Sequence, residues 1–84
     1  MAAEIILPRL DEGMTSGKIL NWLKKEGDKV EKGDIVFELE TEKVTFEVEA
    51  PTSGILNITN SKIGEEIPVG EVVAYVLQPG ETAP

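Results

Sequence analysis

The chemistry open to this chain is set first by what it lacks. Its 84 residues include no histidine and no cysteine, so the commonest general base and the most reactive nucleophile are both missing. What remains is sixteen carboxylates and a set of lysine amines. Paired carboxylates can do acid–base work when their surroundings drive their pKa values apart. Here they alternate with apolar residues along extended runs, the pattern of a solvated strand face. Asp11-Glu12 and Glu65-Glu66 read as loop charges, since no EF-hand spacing accompanies them. The glycines punctuate turns, and none forms a phosphate loop leading into a helix. The amines are left. A lysine on a hairpin is ordinarily a solvated charge, and what sets Lys43 apart is its position.

Lys43 lies between two runs with a period of two. Ile35, Phe37 and Leu39 alternate with Val36, Glu38 and Glu40; Val44, Phe46 and Val48 alternate with Thr45, Glu47 and Glu49. That period marks half-buried strands, and two such runs in succession predict a β-hairpin. With Glu42 and Lys43 as the central turn residues, Leu39 faces Phe46, Phe37 faces Val48 and Ile35 faces Ala50. All the apolar residues then share one face, with Glu38 opposite Glu47 and Glu40 opposite Thr45 on the other. A slip of one residue would mismatch the faces. The turn holds no Gly, Asn or Pro, which favours the permissive type I over a primed turn. Lys43 is thus expected at the tip of a rigid hairpin.

The elements behind the hairpin must come from a short chain. Its length implies one domain, near the lower limit for independent folding, with a small core around Trp22, Phe37, Phe46 and Tyr75. The formal net charge of −8 disfavours nucleic acid and anionic membrane surfaces and favours basic protein surfaces. Without cysteine there is no disulfide frame or thiolate metal site. No run approaches the roughly 20 apolar residues of a membrane span, and no signal-peptide pattern opens the chain. Residues 1–3 read as a disordered end, 4–78 as the domain, and the Pro/Ala-containing segment 79–84 as the start of a linker.

Strands are expected at Ile5-Ile6-Leu7 and over 17–24, with Ile19, Leu20, Trp22 and Leu23 supplying core. Others are expected briefly at Val30, in the hairpin, over 54–60 and over 72–77. Arg9 to Ser16 reads as an exposed loop. Laid on itself at an offset of 37, the chain matches without a gap. Thr15-Ser16-Gly17 falls on Thr52-Ser53-Gly54, Gly27 on Gly64, Gly33 on Gly70, Val30 on Ile67, Ile35 on Val72 and Glu12 on Glu49. This is a duplicated unit of about four strands, running over roughly 4–40 and 41–77. Two copies wrapped face to face predict an all-β, flattened eight-strand barrel or sandwich of two quasi-symmetric four-strand antiparallel sheets. A two-fold axis maps Glu40 onto Leu77, and Thr41 onto Glu4. The hairpin tip and the chain ends should therefore be counterparts, at opposite ends of the molecule if the axis crosses its long dimension.

Glu40-Thr41-Glu42-Lys43-Val44 resembles the Glu-Thr-Asp-Lys-Ala/Val signature of the lipoyl domains of 2-oxo acid dehydrogenase complexes. The nearest likeness is to the N-terminal domain of a dihydrolipoamide acyltransferase. Gly13-Met14-Thr15, Gly17-Lys18-Ile19 and Trp22 through Val30 are similar to the first half of that family's domain. Pro51, Ser53-Gly54 and Val69-Gly70 are similar to its second half, and Gly27 and Gly54 stand at matching distances from Lys43. Glu42 departs from the usual Asp but keeps the charge.

The resemblance implies that Lys43 carries lipoate in amide linkage, attached by a lipoate ligase or lipoyl transferase. The arm would shuttle acyl groups and electrons between three enzymes: a thiamine-diphosphate 2-oxo acid decarboxylase, an acyltransferase core, and a flavin dihydrolipoamide dehydrogenase. The piece would be a carrier without catalysis of its own, monomeric when isolated, from a pyruvate, branched-chain or acetoin complex. It would be cytoplasmic in a prokaryote, or in the mitochondrial matrix if excised from a longer chain. Glu40, Thr41, Glu42, Val44, Gly27 and Gly54 would be recognition residues, with Arg9, Leu10, Asp11, Glu12 and Met14 in the loop after the first strand as a second recognition surface. Two other readings stay open. A biotinyl carrier shares the fold, but its signature places methionine on both sides of the lysine. An unmodified acidic β-module would bind a basic partner through charge alone.

Overall fold

A computed structural model describes residues 2–60 and 62–82; Met1, Ser61, Ala83 and Pro84, including the far end of the expected linker, fall outside the described residues. Eight strands follow in order: β1 (Ala3–Ile6), β2 (Ser16–Trp22), β3 (Lys29–Val30), β4 (Ile35–Glu40), β5 (Thr45–Glu49), β6 (Gly54–Ile58), β7 (Glu66–Pro68) and β8 (Val72–Leu77). Among the described residues there is no helix. One sheet has the order β1-β8-β6-β3 and the other β5-β4-β2-β7, with every pairing antiparallel. Ala3, expected in the loose end, is already in β1, paired with Val76.

The duplication is visible in the ladders. Exchanging the halves turns β1-β8-β6-β3 into β5-β4-β2-β7, so the two sheets are images of one another. Turn bonds repeat at the same offset. Gly27 N–H donates to the Leu56 carbonyl at 2.8 Å, and Gly64 N–H to that of Ile19 at 3.0 Å. Asp34 N–H donates to the Glu31 carbonyl, and Glu71 N–H to that of Pro68. In two respects the repeat differs from expectation. Each sheet takes two strands from each half, so the copies interlock instead of stacking as separate sheets. A half alone would leave its short edge strands unpaired, too little sheet to stand in water. The match also needs a gap. Ala3 and Ile5 pair with Val76 and Ala74, as Phe46 and Val48 pair with Leu39 and Phe37. The first strands are therefore related by 43 residues where the rest are related by 37, so Glu12 has no true counterpart in Glu49. Six additional residues lie between β1 and β2.

The core consists of the inward faces of both sheets. Leu7, Ile19, Val30, Val36, Phe37, Leu39, Leu56, Val73 and Val76 are fully buried, and most are twins at offset 37. Val36 and Val73 each sit at a bulge, where the partner strand opposes two residues with one. Val36-Phe37 and Val73-Ala74 are consequently buried as consecutive pairs, which strict alternation does not allow. The same bulge sets Ile35 opposite Glu49, not Ala50. Ala50 instead donates its N–H to the Asp34 carbonyl at 2.8 Å and accepts from Gly33 N–H. A third bulge, at Leu20 in β2, turns Leu20 outward, and Leu23 lies beyond the strand, so neither supplies core as expected. Trp22 is half-buried and tilts against Phe37, with ring centroids 4.8 Å apart.

Gly17 and Gly54 are twins at the starts of β2 and β6, where a neighbouring strand end crosses closely. A methyl added at Gly54 would lie 2.5 Å from the Leu77 carbonyl oxygen and 2.7 Å from Val76 Cγ1. Backbone cannot give way there cheaply. Gly54→Ala is expected to cost roughly 2–3 kcal/mol by overpacking, read from the urea midpoint. Gly13→Ala, whose methyl meets nothing nearer than 3.6 Å, should change stability by less than about 1 kcal/mol.

Candidate functional site

The site is built from the β4–β5 hairpin outward. Its register is the expected one near the tip: Phe37 faces Val48, Glu38 faces Glu47, Leu39 faces Phe46 and Glu40 faces Thr45. The turn is Thr41 to Val44, with Thr41 N–H donating to the Val44 carbonyl at 2.8 Å. Among the described residues, none but glycine has a positive φ, so primed turn geometry is absent, as the composition of the turn requires. Glu42 and Lys43 are both exposed. Val44 and Phe46 were expected on a covered face, yet they stay 47% and 38% exposed. Phe46 is on the sheet's edge strand, where only one neighbour shields it, and Val44 is in the turn that leads into that strand.

The body is 39 Å long and about half as wide. β5 leads away from the tip for five residues, roughly 17 Å of strand. The segment that follows it meets Gln78, whose side-chain amide donates to the Ser53 carbonyl at 2.6 Å. Lys43 and the C-terminal end of β8 are therefore at opposite poles.

Beside the tip is a groove of about 490 Å³, lined by Asp11, Gly13 through Lys18, Glu40 through Lys43, and Glu66. Its second wall is the loop that contains the six extra residues. Asp11 closes that loop on itself: its carboxylate accepts from Gly13 N–H at 2.9 Å and its carbonyl from Met14 N–H at 3.2 Å. Met14 pins it to the core, being only 6% exposed. At the floor, Gly17 lets Leu39, Met14 and the Glu40 carbonyl come close, and the Ser16 hydroxyl donates to the Glu66 carboxylate.

Of the residues singled out from sequence, Lys43, Glu40, Thr41, Glu42, Asp11 and Met14 converge on this groove. Val44 is on the hairpin just outside it. Arg9 and Glu12 are exposed and Leu10 is half-buried against the core, none of them lining the groove. Gly27 serves the turn beneath β6, and Gly54 is at the far pole beside Leu77. Ser16, Gly17 and Lys18 line the groove without having been singled out as site residues, and Glu66, read from the sequence as a loop charge, lines it from strand β7. Glu66 arrives only because β7 pairs with β2, setting it opposite Lys18, a long-range pairing with no local signal. The acidic residues Asp11, Glu40, Glu42 and Glu66 line the groove together with Lys18 and Lys43, and no cluster suited to a metal ion occurs among the described residues. What the arrangement offers chemically is a primary amine held outward on a stiff support, ringed by negative charge.

A family model for biotin/lipoyl domains, described as biotin-requiring enzyme, matches residues 3–76. The dihydrolipoyllysine-residue acetyltransferase component of the pyruvate dehydrogenase complex of Rickettsia conorii is 43% identical over 82 residues, covering 96% of this chain and 20% of that protein. The corresponding component of the acetoin cleaving system of Bacillus subtilis is 38% identical over 82 residues, 98% of this chain and 21% of that protein. The chain thus spans about a fifth of the curated relatives it matches, which also include a pyruvate dehydrogenase β subunit from Rhizobium meliloti. Among solved structures, the lipoyl domain of the 2-oxoglutarate dehydrogenase complex of Azotobacter vinelandii superposes with a TM-score of 0.75 at 28% identity, covering 93% of this chain and 99% of that one.

The contact at Gly17 joins both walls of the groove. A methyl there would lie 2.9 Å from Leu39 Cδ1, 3.2 Å from Met14 Cε and 3.4 Å from the Glu40 carbonyl oxygen. Gly17→Ala is expected to lower stability by about 1–2 kcal/mol and to shift amide resonances in both 11–15 and 40–44. Shifts confined to β2 would mean that loop and tip do not share this contact.

Proposed function

The chain belongs to the biotin- and lipoyl-attachment family, and from that premise we propose that Lys43 carries lipoate as a swinging arm of a 2-oxo acid dehydrogenase complex. The observation that carries the reading is the placement of Lys43. It is an exposed amine at the third position of a tight turn, at the pole opposite Gln78, in a body that superposes on a lipoyl domain. Glu42 and Val44 as its neighbours favour lipoate over biotin.

The residues fit such a group. An activated carboxyl would be attacked by Nζ, forming an amide and releasing a proton and the activating group. Nothing from the core crowds the approach, since Glu42, Lys43 and Val44 are all exposed. When bound, lipoate supplies a dithiolane that accepts an acyl group with two electrons and yields them again. The chain's own part is presentation. The hairpin keeps the attachment point rigid, and a tether at the other pole would let the arm visit several active sites at high effective concentration.

Amidation also removes a charge. The 38–49 stretch then retains Glu38, Glu40, Glu42, Glu47 and Glu49 with no cation among them. That acidic collar suits basic rims on the partners: the thiamine-dependent decarboxylase, the acyltransferase core and the flavin dehydrogenase. The pyruvate and acetoin relatives favour those substrates.

Treatment with lipoate ligase, ATP and lipoate should add one lipoyl group by intact mass, and Lys43→Ala should abolish it. A gain with biotin ligase and biotin alone, or with neither enzyme, would overturn the reading. Reductive acylation of the loaded domain should be fastest with a pyruvate- or acetoin-type decarboxylase. Its kcat/KM should fall several-fold as salt shortens the Debye length from about 10 Å at 0.1 M toward 3 Å at 1 M.

A further inference from the structure

We infer that the Thr41 hydroxyl is the positioning group that fixes the backbone of Lys43 for modification; this rests on Lys43 being the modified residue. With no positive φ at Glu42 or Lys43, the turn lacks the primed geometry that matches the right-handed twist of the flanking strands, so it needs closing bonds beyond the ladder. Thr41 supplies them. Its Oγ1 donates to the Val44 carbonyl at 3.1 Å, and accepts from the N–H of Val44 at 3.2 Å and of Lys43 at 3.4 Å. One donor and two acceptor sites are all that a hydroxyl has, and each is used within this turn.

Packing offers no substitute. Glu42, Lys43 and Val44 are all exposed, so no core contact orients the loop's centre. One of the hydroxyl's bonds reaches the amide of Lys43 itself. Without it, the amides of Lys43 and Val44 turn to water, and the amine is presented by a wider set of backbone conformations. An enzyme that docks one of them acts only on the fraction that is populated, and its apparent rate falls by that fraction. Valine has the shape of threonine without the hydroxyl, whereas serine keeps the hydroxyl and loses the methyl, so the pair separates hydrogen bonding from shape.

The experiment uses the whole 84-residue chain as wild type, Thr41→Val and Thr41→Ser. The rate of lipoate attachment by lipoate ligase with ATP is followed by intact mass, beside thermal unfolding and amide hydrogen exchange. Thr41→Val is expected to lower kcat/KM for attachment about tenfold, to speed exchange at Lys43 and Val44, and to shift Tm by only a few degrees. Thr41→Ser should stay near wild type in all three. Attachment to Thr41→Val at the wild-type rate would overturn the inference. So would a Thr41→Ser variant slowed as much as the valine form, or a collapse of Tm, which would give the hydroxyl to the fold at large. Should the wild type itself take up no lipoyl group, the carrier reading fails. Exchange at Lys43 and Val44, which needs no ligase, then decides by itself whether the hydroxyl holds the turn.

Discussion

The rest of the molecule depends on the register of one antiparallel ladder. Phe37 and Leu39 are fully buried, while Glu38 and Glu40 beside them face outward. A slip of one residue between β4 and β5 would pair these faces wrongly, and it would also move Lys43 off the turn. The burial that stabilises the fold is therefore the same constraint that chooses which residue stands at the tip. The like-charged pair Glu38 and Glu47 is tolerated across the ladder, although such pairs are unfavourable. The apolar contacts on the other face outweigh it.

Duplication gives the ladder its support. The two sheets exchange strands, so each half closes the other, and a chain without cysteine encloses a core with no helix among its described residues. Symmetry by itself would give two equivalent poles. The six additional residues between β1 and β2 break it. They build a second wall beside the hairpin tip, anchored through Met14 and admitted by Gly17, whereas the twin connection after β5 is short. The groove at Lys43 results from an asymmetry inserted into a symmetric body.

Charge completes the division of labour between the poles. Carboxylates gather around the tip, and amidation of Lys43 would make that end more acidic while leaving the body unchanged. The Thr41 hydroxyl holds the backbone of Lys43, while the Lys43 side chain enters no ion pair among the described residues, so the chemistry of the amine remains free. A carrier needs such an attachment point, rigid at its base and unencumbered at its end.

The sequence by itself determined every strand but β7, the hairpin register near the tip, the duplication and the position of Lys43. These follow from local period-two alternation and from self-similarity, both readable along the chain. Only the tertiary structure decided how the halves interlock, where the bulges at Val36, Leu20 and Val73 fall, and that Val44 and Phe46 remain exposed at an edge. Each of these depends on which strand lies beside which, and strand neighbours are chosen by closure of the whole barrel. The groove shows the same division. Asp11, Met14, Glu40, Thr41, Glu42 and Lys43 could be singled out in the sequence. Glu66 could not, because what brings it opposite Lys18 is a pairing across some fifty residues that no local pattern encodes.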